Sequence, residues 1–115
     1  MPSNRTCDYL HDVLDAIDHI EATVAGRNVD DYVASRDMRA IVERNLITVG
    51  EVLARLRDSD PGTIQHITSY AEAIGLRNII IHEYRRLDDR QIWTTVLKHV
   101  PILAQECRAL LEGES

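Results

Sequence analysis

Four polar side chains between positions 77 and 84 have the types and spacing to move a proton beside a bound anion. They are Arg77, Asn78, His82 and Tyr84, in the segment Arg-Asn-Ile-Ile-Ile-His-Glu-Tyr. An imidazole suits proton transfer because its unperturbed pKa, about 6.5, lies near neutral pH. A guanidinium stays charged and offers a planar fork to phosphate oxygens. The segment therefore has the groups needed for acid–base chemistry at a phosphate.

A helix would order these side chains. At about 100° per residue, Arg77 and Tyr84 point almost the same way, and Asn78 and His82 share a neighbouring face. The three isoleucines at 79–81 are expected to anchor the segment in the core. The alternative is an ordinary helix end, at which Arg and His side chains satisfy the last carbonyl groups. Spacing alone favours that alternative.

The chain after this segment is locally basic. Arg85, Arg86 and Arg90 follow, so residues 77–90 carry four arginines against three acidic residues. The whole chain, in contrast, has a net charge of −6. This acidity argues against a protein that coats duplex DNA or docks on an anionic membrane, but it leaves room for a small basic site.

No metal site or cofactor is predicted. His11, Asp15 and His19 are spaced like ligands on one helix face, but they lie opposite the apolar stripe, and a solvated polar face is the better interpretation. Cys7 and Cys107 are too few and too far apart for a zinc site or a disulfide framework.

Helical periodicity predicts the elements that hold the motif. One apolar stripe runs through the first helix, from Leu10 to Val24. A second helix is expected to open near Asp30 or Asp31 and to run to about Arg57, with Gly50 inside it at a close approach of two helices.

Breaker residues divide the rest of the chain. Pro61 suits the first turn of a further helix, which is expected to cover residues 63–87 with a bend near Gly75. Residues 88–89 cap a last helix, which Pro101 should kink or divide. The fold class is therefore all-α, an antiparallel bundle of four to five helices.

Length and composition set the scale of the molecule. A chain of 115 residues, 44% hydrophobic, is expected to form a single domain over residues 1–115. No apolar run exceeds three residues, so no membrane span is expected. The polar N-terminus lacks the apolar stretch of a signal peptide, which predicts a cytoplasmic protein.

The segment resembles the R-x4-H-x-Y motif of the HepT-like toxins, a branch of the HEPN superfamily of all-helical ribonucleases. The match consists of Arg77, His82 and Tyr84, with Asn78 directly after the arginine, as is common in that family. The similarity extends over most of the chain, since residues 37–56 resemble the family's second helix and residues around the motif fit as well.

This resemblance implies a metal-independent endoribonuclease without a cofactor, the toxin half of a type VII-like toxin–antitoxin module. It implies that His82 is the general acid–base group and that Arg77 stabilises the phosphate, with Asn78 supporting them. Arg85 and Arg86 are candidates for further contacts to RNA phosphates. One histidine cannot easily serve as acid and base together, so a homodimer that brings two motifs into one cleft is expected.

The resemblance gives Tyr84 a different role. It implies that a minimal nucleotidyltransferase antitoxin transfers AMP from ATP to this tyrosine. The added bulk and negative charge would block the position of an RNA phosphate.

Two other functions fit the residues. The chain could be a non-catalytic HEPN subunit that binds a nucleotidyltransferase and assists its binding of nucleotide or substrate. It could also be a structural helical dimer in which Arg77 and His82 serve only packing and capping.

Overall fold

The protein is a bundle of helices joined by short turns. The computed structural model describes residues 2–113. Its elements are α1 (Asn4–Val24), α2 (Val29–Ala34), α3 (Arg36–Ser59), α4 (Pro61–Ile64), α5 (Tyr70–His82), a single 3-10 turn (Tyr84–Arg86), α6 (Asp89–Lys98) and α7 (Val100–Leu111). No strand occurs within the described part of the chain, so the predicted all-α class is confirmed.

Helix α3 lies at the centre of the bundle. Helices α1 and α5 pack along α3, α7 packs against α1, and α2 packs against α3 and α6. Aliphatic side chains from α1, α3, α6 and α7 form most of the core, with Tyr32 and Trp93 in contact between α2 and α6. None of the helices in residues 2–113 combines the length and the apolar character needed to cross a bilayer.

The predicted second helix is in fact two helices, which corrects the expectation of one helix from Asp30 or Asp31 to Arg57. Ser35 has an extended backbone, with φ −102° and ψ 105°, and separates α2 from α3. Its hydroxyl oxygen accepts a hydrogen bond from the Met38 amide at 3.1 Å. Serine favours this arrangement because its short side chain satisfies an amide that has no partner within the helix.

The helix that carries the motif is shorter than expected. It begins at Tyr70 and ends at His82, whereas residues 63–87 were predicted. Gly75 lies inside α5, which continues through it as one helix, so the bend expected near Gly75 does not divide the helix. Pro61 occupies the first turn of α4, as predicted. The helix assignment of the three isoleucines is confirmed, although Ile80 alone among them is buried.

The C-terminal part follows the sequence closely. The Asp88 carboxylate accepts hydrogen bonds from the amides of Arg90 and Gln91, and it caps α6. Pro101 stands in the first turn of α7, two residues after the junction at His99. The predicted division at Pro101 is therefore confirmed, because proline fits the start of a helix and not its interior.

Candidate functional site

A close crossing of α3 and α5 fixes the position of Arg77. A Cβ placed on Gly50 would lie 2.4 Å from the Arg77 Cβ and 2.9 Å from the Ala73 carbonyl oxygen. Real side chains do not approach so closely, so any larger residue at 50 would push α5 away from α3. The glycine inside α3 therefore has the role that the sequence suggested, and it is directly beneath the arginine of the motif.

The guanidinium of Arg77 is held by its neighbour on the same helix. Its Nη1 donates a hydrogen bond to Asn78 Oδ1 at 2.7 Å. Its Nε is buried and has no hydrogen-bond partner among the described residues. A buried donor without a partner is costly, so the packing of α5 against α3 leaves this hydrogen-bonding group unsatisfied.

The imidazole of His82 stands at the exposed end of α5. His82 is the last residue of the helix, and both His82 and Asn78 are exposed. Because they are four residues apart in a continuous helix, they share one side of it, as the spacing predicted. Arg77 and His82 are five residues apart, which turns them about 140° from each other around the axis.

Tyr84 reaches its position by a different route from the one expected. The helix ends before it, since Glu83 leaves helical geometry with φ −137° and ψ 44°. Tyr84 then opens the 3-10 turn, so helical phase does not relate it to Arg77. The expectation that one continuous helix aligns the two side chains is therefore wrong.

The Tyr84 hydroxyl is bound by a glutamate that sequence reasoning had not selected. It donates to Glu43 Oε1 at 3.0 Å, with Oε2 at 3.3 Å. Glu43 is only 7% exposed, whereas Tyr84 is 56% exposed. Glu43 and Gly50 are seven residues apart on α3, so the phenol and Arg77 meet the same face of α3 about 10 Å apart along its axis.

A signal for Glu43 was present in the sequence. Glu43 lies three, seven and ten residues before Leu46, Gly50 and Leu53, which is the spacing of residues on one helix face. That face of α3 is buried. A carboxylate in such a series needs a partner, because burying an uncompensated charge is costly. Helical periodicity alone identifies the face, but it does not reveal the partner on another element.

Burial and hydrogen bonding shift the titration of both groups. Burial raises the pKa of Glu43 above its usual 4.5, against the opposing effect of the Tyr84 hydrogen bond. The hydrogen bond to Glu43 raises the pKa of Tyr84, and partial burial adds to it. Asp89 and Arg39 act on both groups with opposite signs. The phenol is therefore held in its protonated form.

The basic residues after the motif differ in how far their charges are neutralised. Arg86 pairs with Glu83 at 2.8 Å, and Arg90 pairs with Asp30 at 3.1 Å. Arg85 is exposed and has no ion-pair partner among residues 2–113. Arg85 is thus better placed than Arg86 to attract a phosphate.

Helix α5 borders an open apolar cleft. The cleft has a volume of about 640 Å³ and lies between α5 and the helices α1, α3, α6 and α7. Side chains of α5 that line it include Leu76 and Ile79, which are only half-buried. On the same helix Ile81 is 41% exposed. The motif helix therefore leaves much of its apolar surface uncovered within one chain.

No group of three or more His, Cys, Asp or Glu side chains that could hold a metal ion was found among residues 2–113. His11, Asp15 and His19 are exposed on α1. His19 Nδ1 lies 2.8 Å from the backbone carbonyl oxygen of Asp15. This placement agrees with a solvated polar face.

Cys107 is buried, and burial raises the pKa of its thiol to about 12.

Comparison with curated proteins finds similar chains named as ribonucleases. "Putative RNase TTE0752" of Caldanaerobacter subterraneus is 27% identical over 92% of this chain and 94% of that protein. "Probable ribonuclease HepT" of Thermococcus cleftensis is 28% identical over 84% of this chain and 86% of that protein. "Putative RNase MJ1216" of Methanocaldococcus jannaschii is 22% identical over 97% and 92%. No solved structure gives a significant match.

A family comparison covers the whole site. The family described as "Ribonuclease HepT-like" matches residues 13–110, which include Glu43, Gly50 and the motif from Arg77 to Tyr84. The crossing at Gly50 and the motif both lie within that match, as do most residues of the helical bundle. The chain belongs to the HepT-like ribonuclease family.

Proposed function

We propose that this chain is a metal-independent endoribonuclease and the toxin component of a type VII-like toxin–antitoxin module. The observation that carries the proposal is the C-terminal half of α5, a helix packed closely against α3, where Asn78 holds the Arg77 guanidinium and shares one side of the helix with His82. These are the groups that cleavage of a phosphodiester requires, in a chain that belongs to a ribonuclease family.

The chemistry needs three things from the protein. A proton must leave the 2′-hydroxyl, negative charge must be stabilised at phosphorus, and a proton must reach the departing 5′-oxygen. His82 moves the protons, and the exposed end of the Arg77 guanidinium receives a phosphate oxygen. Asn78 positions the guanidinium through its hydrogen bond. Arg85, with Arg86 beside it, contacts neighbouring phosphates of the RNA.

A homodimer completes this site. One imidazole cannot be acid and base in the same step, and Arg77 and His82 of one helix point about 140° apart. Two motifs in one cleft supply two of each group. The uncovered apolar surface of α5, with the cleft beside it, supports a second copy as the partner, since apolar surface of this kind stabilises association.

Tyr84 is the residue through which the enzyme is inhibited. In this proposal a minimal nucleotidyltransferase antitoxin transfers AMP from ATP to its hydroxyl. The 56% exposure of Tyr84 leaves the ring open to a second protein. A bound AMP adds negative charge on the same face of α3 that meets Arg77, which repels an RNA phosphate and competes for the guanidinium.

The first experiment measures RNA cleavage by the purified, unmodified chain in the presence of EDTA. We expect cleavage by the wild type and a loss of about 100-fold or more for His82→Ala and for Arg77→Ala. His11→Ala and Arg27→Ala are matched controls, because both residues are exposed and distant in sequence from the motif. Intact RNA with the wild-type chain would contradict the proposal.

The second experiment concerns the antitoxin. The chain is incubated with ATP, Mg²⁺ and the nucleotidyltransferase encoded beside it, and mass spectrometry locates any added AMP. We expect AMP on Tyr84 and loss of RNA cleavage, with Tyr84→Phe neither modified nor inhibited. Modification at another tyrosine would contradict the assignment of Tyr84.

A non-catalytic subunit that binds a nucleotidyltransferase is the second candidate. The acidity of the chain favours it, since a net charge of −6 disfavours RNA and Glu83 already neutralises Arg86. This candidate predicts a stable complex with the transferase, no growth arrest on expression of the chain alone, and nucleotide binding by the transferase that depends on the complex.

A further inference from the structure

Glu43 is an unusual residue for the interior of this molecule. It is an acidic side chain with 7% exposure, and it has no ion-pair partner among residues 2–113. The nearest basic candidate, Arg39, lies with its Nε 3.7 Å from Asp89 and donates its Nη1 to the Val33 carbonyl. The carboxyl group of Glu43 therefore has one strong contact, the Tyr84 hydroxyl.

The contact is not explained by burial of the tyrosine. The Tyr84 ring is mostly exposed, and its element is a single 3-10 turn with few packing constraints. Placing a carboxyl group in the core to hold an exposed phenol costs free energy that an apolar residue at 43 would avoid. What the arrangement does is fix the phenol oxygen and give its proton a defined acceptor.

Resting on the proposed function, in which Tyr84 accepts AMP, we propose that Glu43 is the proton acceptor for nucleotidyl transfer to Tyr84. A lone pair of the Tyr84 oxygen forms a bond to the α-phosphorus of ATP. The bond from that phosphorus to the oxygen bridging to the β-phosphorus breaks, and pyrophosphate leaves with the electron pair. The phenol proton passes to Glu43 Oε1, which lies 3.0 Å from the phenol oxygen.

The titration of the pair supports this assignment. The pKa of Tyr84 is raised by its hydrogen bond to Glu43, so the phenol is not ionised in advance and must lose its proton during the attack. Burial raises the pKa of Glu43, which makes its carboxylate a stronger base than an exposed glutamate. Of the charged groups that face Glu43, Asp89 strengthens this effect and Arg39 opposes it, while the neighbouring Tyr32 stays protonated.

The transferred proton also stabilises the product. The new phosphodiester carries a negative charge close to the buried carboxyl group. An ionised carboxylate and a phosphodiester at this distance would repel each other. Because Glu43 has taken up the proton, it is neutral at that stage, and the modified tyrosine can remain in place.

The test compares rates of AMP transfer to wild type and Glu43→Gln, with the adjacent nucleotidyltransferase, ATP and Mg²⁺. Glutamine has nearly the same shape and still accepts a hydrogen bond from Tyr84, but it cannot take up the proton. We expect its rate to fall about 100-fold or more. The wild-type rate should fall as acidification protonates Glu43, and Glu43→Gln should lose that limb of the pH profile. Glu21→Gln, the same change on α1, is the matched control.

Glu43→Asp provides a second measurement. It keeps the carboxylate on a shorter stem, so we expect it to recover part of the rate and to retain the pH dependence. A purely structural role predicts instead that Glu43→Asp is slower than Glu43→Gln, because aspartate fills the space of the glutamate less well than glutamine does. Far-ultraviolet circular dichroism and thermal unfolding verify that each variant is folded.

The outcomes separate the two proposals. Transfer to Glu43→Gln at the wild-type rate with an unchanged pH profile overturns the role of Glu43 and leaves Tyr84 as the acceptor. Absence of any AMP on wild-type Tyr84, or of an adjacent nucleotidyltransferase, overturns both proposals together.

Discussion

At the scale of single residues, the hydrogen bond between Tyr84 and Glu43 affects the pKa of both side chains. The ionised carboxylate stabilises the protonated phenol, which raises the pKa of Tyr84. We expect Glu43→Gln to bring this pKa down toward its ordinary value of 10.0. Ultraviolet titration of tyrosinate checks this, with Tyr84→Phe identifying the contribution of Tyr84. An unchanged titration curve would show that the two side chains do not interact in solution.

Glu43 also makes stability depend on pH. Since its pKa is raised in the folded protein, the folded state binds more protons than the unfolded state above the ordinary value of 4.5. Stability therefore falls as pH rises from 4.5 through the raised pKa. We expect Glu43→Gln to be as stable as wild type below that window and more stable above it, as measured by thermal unfolding across this range. A variant that is less stable at neutral pH would mean that the ionised form is favoured by the fold.

The sequence predicted the motif residues of the site, but it did not predict Glu43. Arg77, Asn78 and His82 could be chosen because their types and spacing suggest chemistry without knowledge of any neighbour. Glu43 is more than 40 residues from Tyr84 in sequence, and their contact depends on how α3 and the 3-10 turn pack. The direction in which the Tyr84 side chain points could not be predicted either, because it depends on the residue at which the backbone leaves α5.

At the scale of elements, the crossing of α3 and α5 depends on Gly50. We expect Gly50→Ala to lower the free energy of unfolding by about 1–3 kcal/mol, because its Cβ collides with Arg77 and with the backbone at Ala73. The same variant should lower RNA cleavage, since relief of the collision moves Arg77. Chemical denaturation and the cleavage assay measure the two effects.

Gly62→Ala is the matched control for that substitution. A Cβ at Gly62 would meet only the Asp60 carboxylate, at 3.9 Å. Since alanine restricts the unfolded chain more than glycine does, this variant should gain up to about 1 kcal/mol. If the two alanine variants were equally stable, the close approach at Gly50 would not exist in solution.

Asp60 lies between α3 and α4, and its carboxylate links this junction to α1. It accepts hydrogen bonds from the hydroxyls of Thr6 and Thr63 and caps α4 through the Thr63 amide. We expect Asp60→Ala to lose about 1 kcal/mol of stability, as is typical for loss of such a cap. Asp58→Ala, which removes only an exposed ion pair with Arg57, should change stability little.

The pH dependence of this cap has the opposite sign to that of Glu43. Hydrogen bonds from Thr63 and Thr6 lower the pKa of Asp60 below its ordinary 3.8. Its contribution is therefore present above 3.8 and is lost as pH falls through the lowered pKa. The stability difference between wild type and Asp60→Ala should shrink in acid. A difference that is constant with pH would indicate that the ionised carboxylate is not the stabilising form.

Apolar periodicity was sufficient for the existence of the long helices, but not for their ends. Residues 30–57 were expected to form one helix because no glycine or proline marks a break near Ser35, where the backbone leaves helical geometry. Asp88 and Pro101 were recognised because a cap and a proline act locally. Ser35 caps in the same local way, but a serine between two amphipathic stretches is too common to mark a break.

At the scale of the whole molecule, a shared active site that needs two imidazoles predicts that one defective chain inactivates its partner. His82→Ala should be inactive alone, and a mixed dimer of His82→Ala with wild type keeps only one imidazole in the cleft. We therefore expect an excess of His82→Ala, unfolded and refolded together with wild type, to suppress the cleavage of the wild-type chains that it pairs with. Analytical ultracentrifugation confirms the dimer. Full activity of the wild-type chain in verified mixed dimers would argue against a composite site.

The uncovered flank of α5 has a consequence for dosage in the cell. If the catalytic cleft exists only where two such flanks meet, the amount of working enzyme rises with the square of chain concentration while monomers predominate. A twofold change in synthesis then alters damage to RNA about fourfold. Under the proposed toxin function, slow leakage from the gene would then be tolerated, whereas a burst of expression would lead abruptly to growth arrest.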